Sequence, residues 1–172
     1  MLAKDYELNV FNRNQQRKNR KPVSQIIGKK YFWKYCFYIN KFTLTPRPET
    51  EHLIELTLKN INNYKKNNIL DIGTGSGCII ISLLKESENS YGVAIDICKE
   101  ALNVAKYNAK IHHIENRIKF FKSSVDKFLF GTYDLIVSNP PYINKLKIKY
   151  LEEDVKNYDP EISLNGGKEG LE

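Results

Sequence analysis

The sequence predicts an α/β fold built on a doubly wound parallel sheet, preceded by a helix and a β-hairpin. Three observations carry this. Short β-rich runs alternate with helical patterns from residue 68 onward, the glycine-rich turn Asp71-Ile72-Gly73-Thr74-Gly75-Ser76-Gly77 follows the first run, and the second run ends on Asp96. Such alternation is the βαβ rhythm, in which each parallel strand is reached through a helical crossover. A chain of 172 residues with 41% hydrophobic residues suits a single domain of this kind.

Residues 3–20 read as one polar helix carrying Leu8, Val10 and Phe11, closed by the basic run Arg17-Lys18-Asn19-Arg20-Lys21 before Pro22. Residues 31–44 are dense in aromatic and β-branched side chains, and Asn40-Lys41 punctuates them like a hairpin turn. In the Pro-stiffened loop Thr45-Pro46-Arg47-Pro48-Glu49-Thr50-Glu51, Thr50 is placed to cap a helix carrying Leu53, Ile54, Leu56, Leu58 and Ile61. Strands follow near 68–72, 91–96, 117–121 and 133–137, with helices over 79–84 and from about Lys99 to Lys110. The tail is polar, with a short helix over 144–155 and a break at Gly166-Gly167.

The fourth run, Tyr133-Asp134-Leu135-Ile136-Val137, leads into Ser138-Asn139-Pro140-Pro141-Tyr142. Consecutive prolines have fixed φ and donate no backbone hydrogen bonds, so the Pro140 carbonyl stays free to accept. Asn139 adds a side-chain acceptor and Tyr142 an aromatic face. Together they suit the two N–H groups of an amide or an exocyclic amine; an ordinary strand-ending turn is the plainer alternative. The glycine run lets a ligand approach the backbone at a helix N-terminus, although a GxGxG run also serves as a tight turn. Asp96, 19 residues after Gly77, is placed to accept both hydroxyls of a ribose. Dinucleotide sites use G-x-G-x-x-G, whose third glycine would fall where Cys78 stands. Asp71 suits a nearby ammonium or sulfonium better than a pyrophosphate, so the expected cofactor is S-adenosylmethionine. Methyl transfer to a nitrogen held by Asn139 and Pro140 then needs orientation and no strong base, and His52, His112 and His113 are not required. His112 and His113 are expected on a solvated loop.

The net charge of +7 favours an anionic neighbourhood without fixing a partner, and a lysine-rich surface accounts for it equally well. Cys36, Cys78 and Cys98 are odd in number and widely spaced, as reduced thiols of a cytoplasmic protein would be, and they form no zinc or redox motif. No apolar run approaches the ~20 residues of a membrane helix, so no membrane partner is expected.

The chain resembles the release-factor glutamine methyltransferases of the HemK type. The resemblance runs from about Arg17 to the C-terminus, through Lys21 to Gly28, Leu44 to Glu51, Asp71 to Gly77, Asp96, Ser138 to Ile143 and Asp159 to Leu171. The Gly-rich loop is shared by many methyltransferases, and Asn-Pro-Pro-Tyr also occurs in adenine-N6 methyltransferases. The Pro-Arg-Pro-Glu-Thr-Glu loop and the Gly-Gly tail are more specific. The resemblance implies a Rossmann-like class I methyltransferase sheet and transfer of a methyl group from S-adenosylmethionine to the side-chain nitrogen of a glutamine in peptide-chain release factors, by a monomer in the cytoplasm. It implies that Gly73, Thr74, Gly75, Ser76, Gly77, Asp96 and Asn139 hold the cofactor, and that Asn139, Pro140, Pro141 and Tyr142 hold the glutamine, with Asn139 and Pro140 catalytic. Arg47 to Glu51 would shape the pocket. Where such enzymes carry an Asp and an aromatic near the adenine, this chain reads Lys122-Ser123-Ser124-Val125-Asp126, which leaves Ser124 as the contact.

By the same resemblance, residues 1–28 would be the remnant of an N-terminal helical domain, 29–48 a hairpin linker, and 49–172 a methyltransferase domain with an incomplete sheet lacking its C-terminal strands. A sheet cut there leaves its fourth strand at an exposed edge, so the expectation is a fragment or degenerate product of weak stability and little activity. Two rival readings are a nucleic-acid adenine-N6 methyltransferase and a non-catalytic cofactor-binding fragment.

Overall fold

The computed structural model describes residues 2–62 and 65–170, with side chains from residue 10 onward. The side chain of Leu8, and Leu171 at the end of the tail, lie outside the described residues. The helix α1 (Leu2–Lys18) keeps Val10 and Phe11 exposed. Its C-terminal end is tied to the tail, where the Tyr158 hydroxyl donates to the Asn19 carbonyl and Arg20 pairs with Glu153. After Pro22 comes a short α2 (Val23–Ile27), closed by Gly28 in the left-handed conformation.

The hairpin pairs β1 (Lys29–Phe32) with β2 (Tyr35–Tyr38), so the turn is Trp33-Lys34 and not Asn40-Lys41. Trp33 adopts a positive φ in this two-residue turn, and both of its N–H groups are engaged: the backbone N–H donates to Glu51 and the indole to Glu86. Glu86 also accepts from Lys34 and the Tyr35 hydroxyl, at 2.7 and 2.8 Å, which anchors the turn to the helix below it. Asn40 instead turns the chain out of β2, its Oδ1 accepting the Phe42 N–H. His112 is not on a solvated loop. Its Nε2 contacts the Cys36 carbonyl at 3.0 Å and its ring packs on Tyr35 and Phe37; only His113 is exposed.

A 3-10 turn (Pro48–Thr50) opens α3 (Glu51–Asn60), which buries Ile54 and leaves Leu56 outside. The parallel sheet follows: β3 (Asn67–Ile72), α4 (Cys78–Glu86), β4 (Ser90–Asp96), α5 (Lys99–Ile111), β5 (Ile118–Lys122) and β6 (Leu135–Ser138). The strand order is β5-β4-β3-β6. Seven consecutive residues of α4, Cys78 to Leu84, are buried, since this helix is packed between the sheet and its neighbours. Ile54, Ile80, Ile81, Leu84 and Ala109 meet Ile69, Ala94, Ile118 and Val137 in one core. Strand residues of the opposite parity, Tyr91, Lys119, Phe121 and Ile136, face the other side and are exposed. The segment after β5 crosses part of that side, with the Phe128 ring tilted against that of Phe121.

The strand order reverses at β3, which has β4 on one side and β6 on the other, and such a switch point opens a crevice at the carboxyl ends of the strands. Ile72 is level with both Ile95 and Ser138, so Gly73, Asp96 and Asn139 emerge side by side. The tail continues as a 3-10 segment (Lys145–Tyr150), α6 (Glu153–Tyr158) and a last 3-10 turn (Glu161–Ser163). The single helix expected over 144–155 is thus split, because Leu151 and Glu152 are extended.

Candidate functional site

The glycine loop folds over the end of β4. The N–H groups of Gly73 and Thr74 both donate to the Ile95 carbonyl, at 2.9 and 3.0 Å. Asp96 holds the loop from beneath: Oδ2 accepts the Gly75 N–H and Oδ1 the Cys98 N–H, both at 2.9 Å. Each oxygen keeps a lone pair for a ligand. A Cβ added to Gly73 would meet nothing within 4 Å, and one added to Gly75 only a carbonyl at 4.0 Å, so the space above them is open. Gly77 differs. It is buried, and a Cβ there would lie 2.9 Å from Ile81 and 3.2 Å from Ala105, so it serves the packing of α4 on α5.

Asp71 lies wholly buried under the loop. Its Oδ2 accepts the Thr74 hydroxyl at 2.6 Å, while Oδ1 has no partner among the described residues. Burial pushes its carboxyl up to about 7, and the nearby charge of Asp96 acts in the same direction against the Thr74 hydrogen bond. A cation above the loop would draw this carboxyl back toward its charged form, whereas a pyrophosphate would push it further toward the protonated one.

A cavity of 340 Å³ spreads over this surface. Gly73 to Ser76, Asp96 and Ser124 line it together with Asn139, Pro140 and Pro141. A second cavity of 450 Å³ is lined by Arg47, Glu49, Thr50, Tyr142 and Leu164 as well as by Asn139 and Pro140. Both cavities are lined by Asn139 and Pro140, so these two residues stand where the cavities meet. The Asn139 amide donates to the Thr50 hydroxyl at 3.1 Å. Among the described residues neither Asn139 Oδ1 nor the Pro140 carbonyl receives a hydrogen bond. Tyr142 is 71% exposed at the mouth.

The tail braces this loop. The Ile143 N–H donates to the Leu164 carbonyl and the Gly166 N–H to the Ile143 carbonyl, a local parallel bridge. The Asn144 amide donates to the Lys168 carbonyl. Gly166 and Gly170 lie so close that a Cβ would come within 2.8 Å of the Pro141 carbonyl or 2.6 Å of the Tyr142 carbonyl. Asp159 then joins the tail to the Pro-Arg-Pro loop. It accepts Arg47 at 2.6 Å and both the N–H and hydroxyl of Thr45, whose hydroxyl also accepts Gln25.

The structure therefore brings Gly73, Thr74, Gly75, Ser76, Asp96, Ser124, Asn139, Pro140 and Pro141 to one cavity, and Asn139, Pro140 and Tyr142 to the other; Gly77 is in neither wall. Thr50 does not cap α3; its hydroxyl faces Asn139 instead. Sequence reasoning missed Phe42, Leu44 and Ser163, which also line the cofactor-sized cavity. Phe42 brings an aromatic ring to this cavity, where the 122–126 segment has none. No metal-binding group of His, Cys, Asp and Glu occurs among the described residues, and no described helix is long and apolar enough to cross a membrane.

The family described as Methyltransferase small domain matches residues 50–155. The release factor glutamine methyltransferase of Rhodospirillum rubrum is 41% identical over 157 residues, covering 91% of this chain and 48% of its own length. That of Caulobacter vibrioides is 40% identical over 158 residues, covering 91% of this chain and 55% of its own. The chain thus spans about half the length of the curated relatives it matches. The crystal structure of the hMettl16 catalytic domain with a MAT2A 3'UTR hairpin aligns with a TM-score of 0.64 at 21% identity, over 78% of this chain and 52% of that one, a likeness of fold.

Proposed function

Because this chain belongs to the methyltransferase small-domain family, we propose that it holds S-adenosylmethionine over the glycine loop and methylates the side-chain nitrogen of a glutamine in a peptide-chain release factor. The meeting of the two cavities at Asn139 and Pro140 carries this reading. S-adenosylmethionine, when bound, supplies an activated methyl group on a sulfonium. Gly73 and Gly75 leave room for it, Asp96 offers its spare lone pairs to the ribose, and a cation above the loop would favour the ionised form of the buried Asp71. Ser124 and Val125 line the same cavity, and Phe42 adds the aromatic surface that the 122–126 segment lacks.

On the acceptor side, Asn139 Oδ1 and the Pro140 carbonyl are two free acceptors for two N–H groups of one carboxamide. A carboxamide nitrogen is a poor nucleophile, because its lone pair is delocalised into the carbonyl with a rotation barrier of about 18–20 kcal/mol in the peptide bond. Two acceptors favour positive charge developing on that nitrogen and aim it at the methyl, and orientation of this kind contributes up to about 7–11 kcal/mol. The proton leaves to water after transfer. The relatives' names point to the same acceptor, and their setting in translation makes the cytoplasm the proposed location.

Labelled S-adenosylmethionine, release factor and total RNA offered together test the reading. Label should appear on a release-factor glutamine, and Asn139→Ala should lower transfer at saturating cofactor about 10²–10³-fold. Label on RNA, or transfer indifferent to Asn139, would overturn it.

A further inference from the structure

We propose that the 3-10 segment Lys145–Tyr150 is a docking surface for an acidic and apolar stretch of the polypeptide that carries the acceptor glutamine; the proposal rests on the glutamine reading of the second cavity. Ile143 before this segment and Val155 after it both line that cavity, so the chain leaves its edge and returns to it. A polypeptide whose glutamine enters the cavity lays its neighbouring residues over the surfaces around the mouth. This segment is one of them.

Lys145, Lys147 and Lys149 are exposed, and none of them pairs with a carboxylate among the described residues. Lys149 lies instead over the Tyr150 ring, 4.9 Å from its centroid. Leu146 is 74% and Tyr150 78% exposed, and with Tyr142 at the cavity mouth they leave three large side chains in water along one short stretch. Single exposed apolar residues are ordinary, whereas a group of them beside unpaired charge marks an interaction surface. Residues three apart eclipse in a 3-10 helix, so Leu146 stands in a row with Lys149, and Lys147 with Tyr150. Each row offers one cation and one large side chain, which suits a ligand that sets carboxylates close to apolar groups. The surface is also formed in advance: Asn144 Oδ1 accepts the Leu146 N–H at 2.8 Å, and the Lys145 N–H donates to the Gly167 carbonyl at 2.9 Å. At about 2.0 Å of rise per residue the segment is about 12 Å long, the span of about four residues of extended chain. The charge then changes sign at Glu152, Glu153 and Asp154, of which Glu153 is met by Arg20. That boundary suits a short acidic segment and opposes a nucleic-acid strand, whose phosphates would continue along the surface.

The test measures methyl transfer to release factor by wild type, by a charge-reversed protein carrying Lys145→Glu, Lys147→Glu and Lys149→Glu, and by a protein carrying Leu146→Ser and Tyr150→Ser. The expected result is a release-factor KM about 10-fold higher in each variant, with kcat and S-adenosylmethionine affinity within about 2-fold of wild type. The KM of wild type should also rise with salt more steeply than that of the charge-reversed protein. An unchanged KM, or a loss confined to kcat, would overturn the proposal. A second readout needs no turnover. A fluorescent peptide alternating glutamate with leucine should bind wild type, weaken about 10-fold on charge reversal, and be displaced by release factor; an oligouridylate of the same net charge should bind wild type more weakly than the peptide does. Tighter binding of the oligouridylate, or peptide binding indifferent to the three lysines, would overturn the docking surface. Wild-type protein that never labels release factor would instead sink the glutamine reading, and the peptide measurement alone would then decide the docking surface.

Discussion

Asp71 is a carboxylic acid wholly buried beneath the glycine loop. Its carboxyl is raised from an ordinary 3.8 to about 7 by burial, so the folded chain keeps a proton that the unfolded chain has already lost. For an acid shifted upward, the associated stability is fully present below pH ~4 and is lost as pH rises through ~7. About three pH units correspond to on the order of 4 kcal/mol. Urea midpoints of wild type should therefore fall between pH 5 and pH 8, while Asp71→Asn should flatten that slope; parallel slopes for the two proteins would show that Asp71 is not its source. The functional residues were unevenly legible. Asp71, the glycines and Asp96 announce themselves because the spacing of one βαβ unit places them together. Thr50 does not, since its partner Asn139 stands 89 residues away and only the folded sheet brings α3 to the end of β6.

Among the elements, the tail from Ser163 to Gly170 has the clearest mechanical role, for it clamps the backbone of the acceptor loop. Gly166→Ala would drive a Cβ to 2.7 Å from the Gly170 carbonyl and 2.8 Å from that of Pro141. The variant should lose about 1–3 kcal/mol of stability and about 10²-fold in methyl transfer, with cofactor affinity little changed; a calorimetric melt and a transfer assay read these separately. The strand and helix rhythm from residue 67 onward was readable from periodicity alone, because the parallel strands are short apolar runs between well-marked turns. The hairpin turn was not readable. Trp33-Lys34 lacks turn chemistry of its own, and carboxylates from α3 and α4 hold it in place. His112 escaped for the same reason: its neighbours come from the hairpin, 76 residues away.

At the scale of the molecule, the helices α3, α4 and α5 contribute their buried residues to one face of the sheet, while Ile136 on β6 is 62% exposed on the other. Among the described residues β6 pairs only with β3. An exposed apolar residue on an edge strand invites association. Ile136→Lys should raise the protein concentration at which light scattering begins and change stability by under about 0.5 kcal/mol; a large fall in melting temperature would show that Ile136 is packed in solution. The node of Gln25, Thr45, Arg47 and Asp159 extends this view from space to time. It spans up to 114 residues of sequence between Thr45 and Asp159. A growing chain completes the cofactor wall around Gly73 and Asp96 well before Asp159 and Gly170 leave the ribosome. At about 5–20 residues per second that interval is several seconds. The nascent protein thus acquires its donor half first, and its acceptor half takes shape only when the clamp that joins the two arrives.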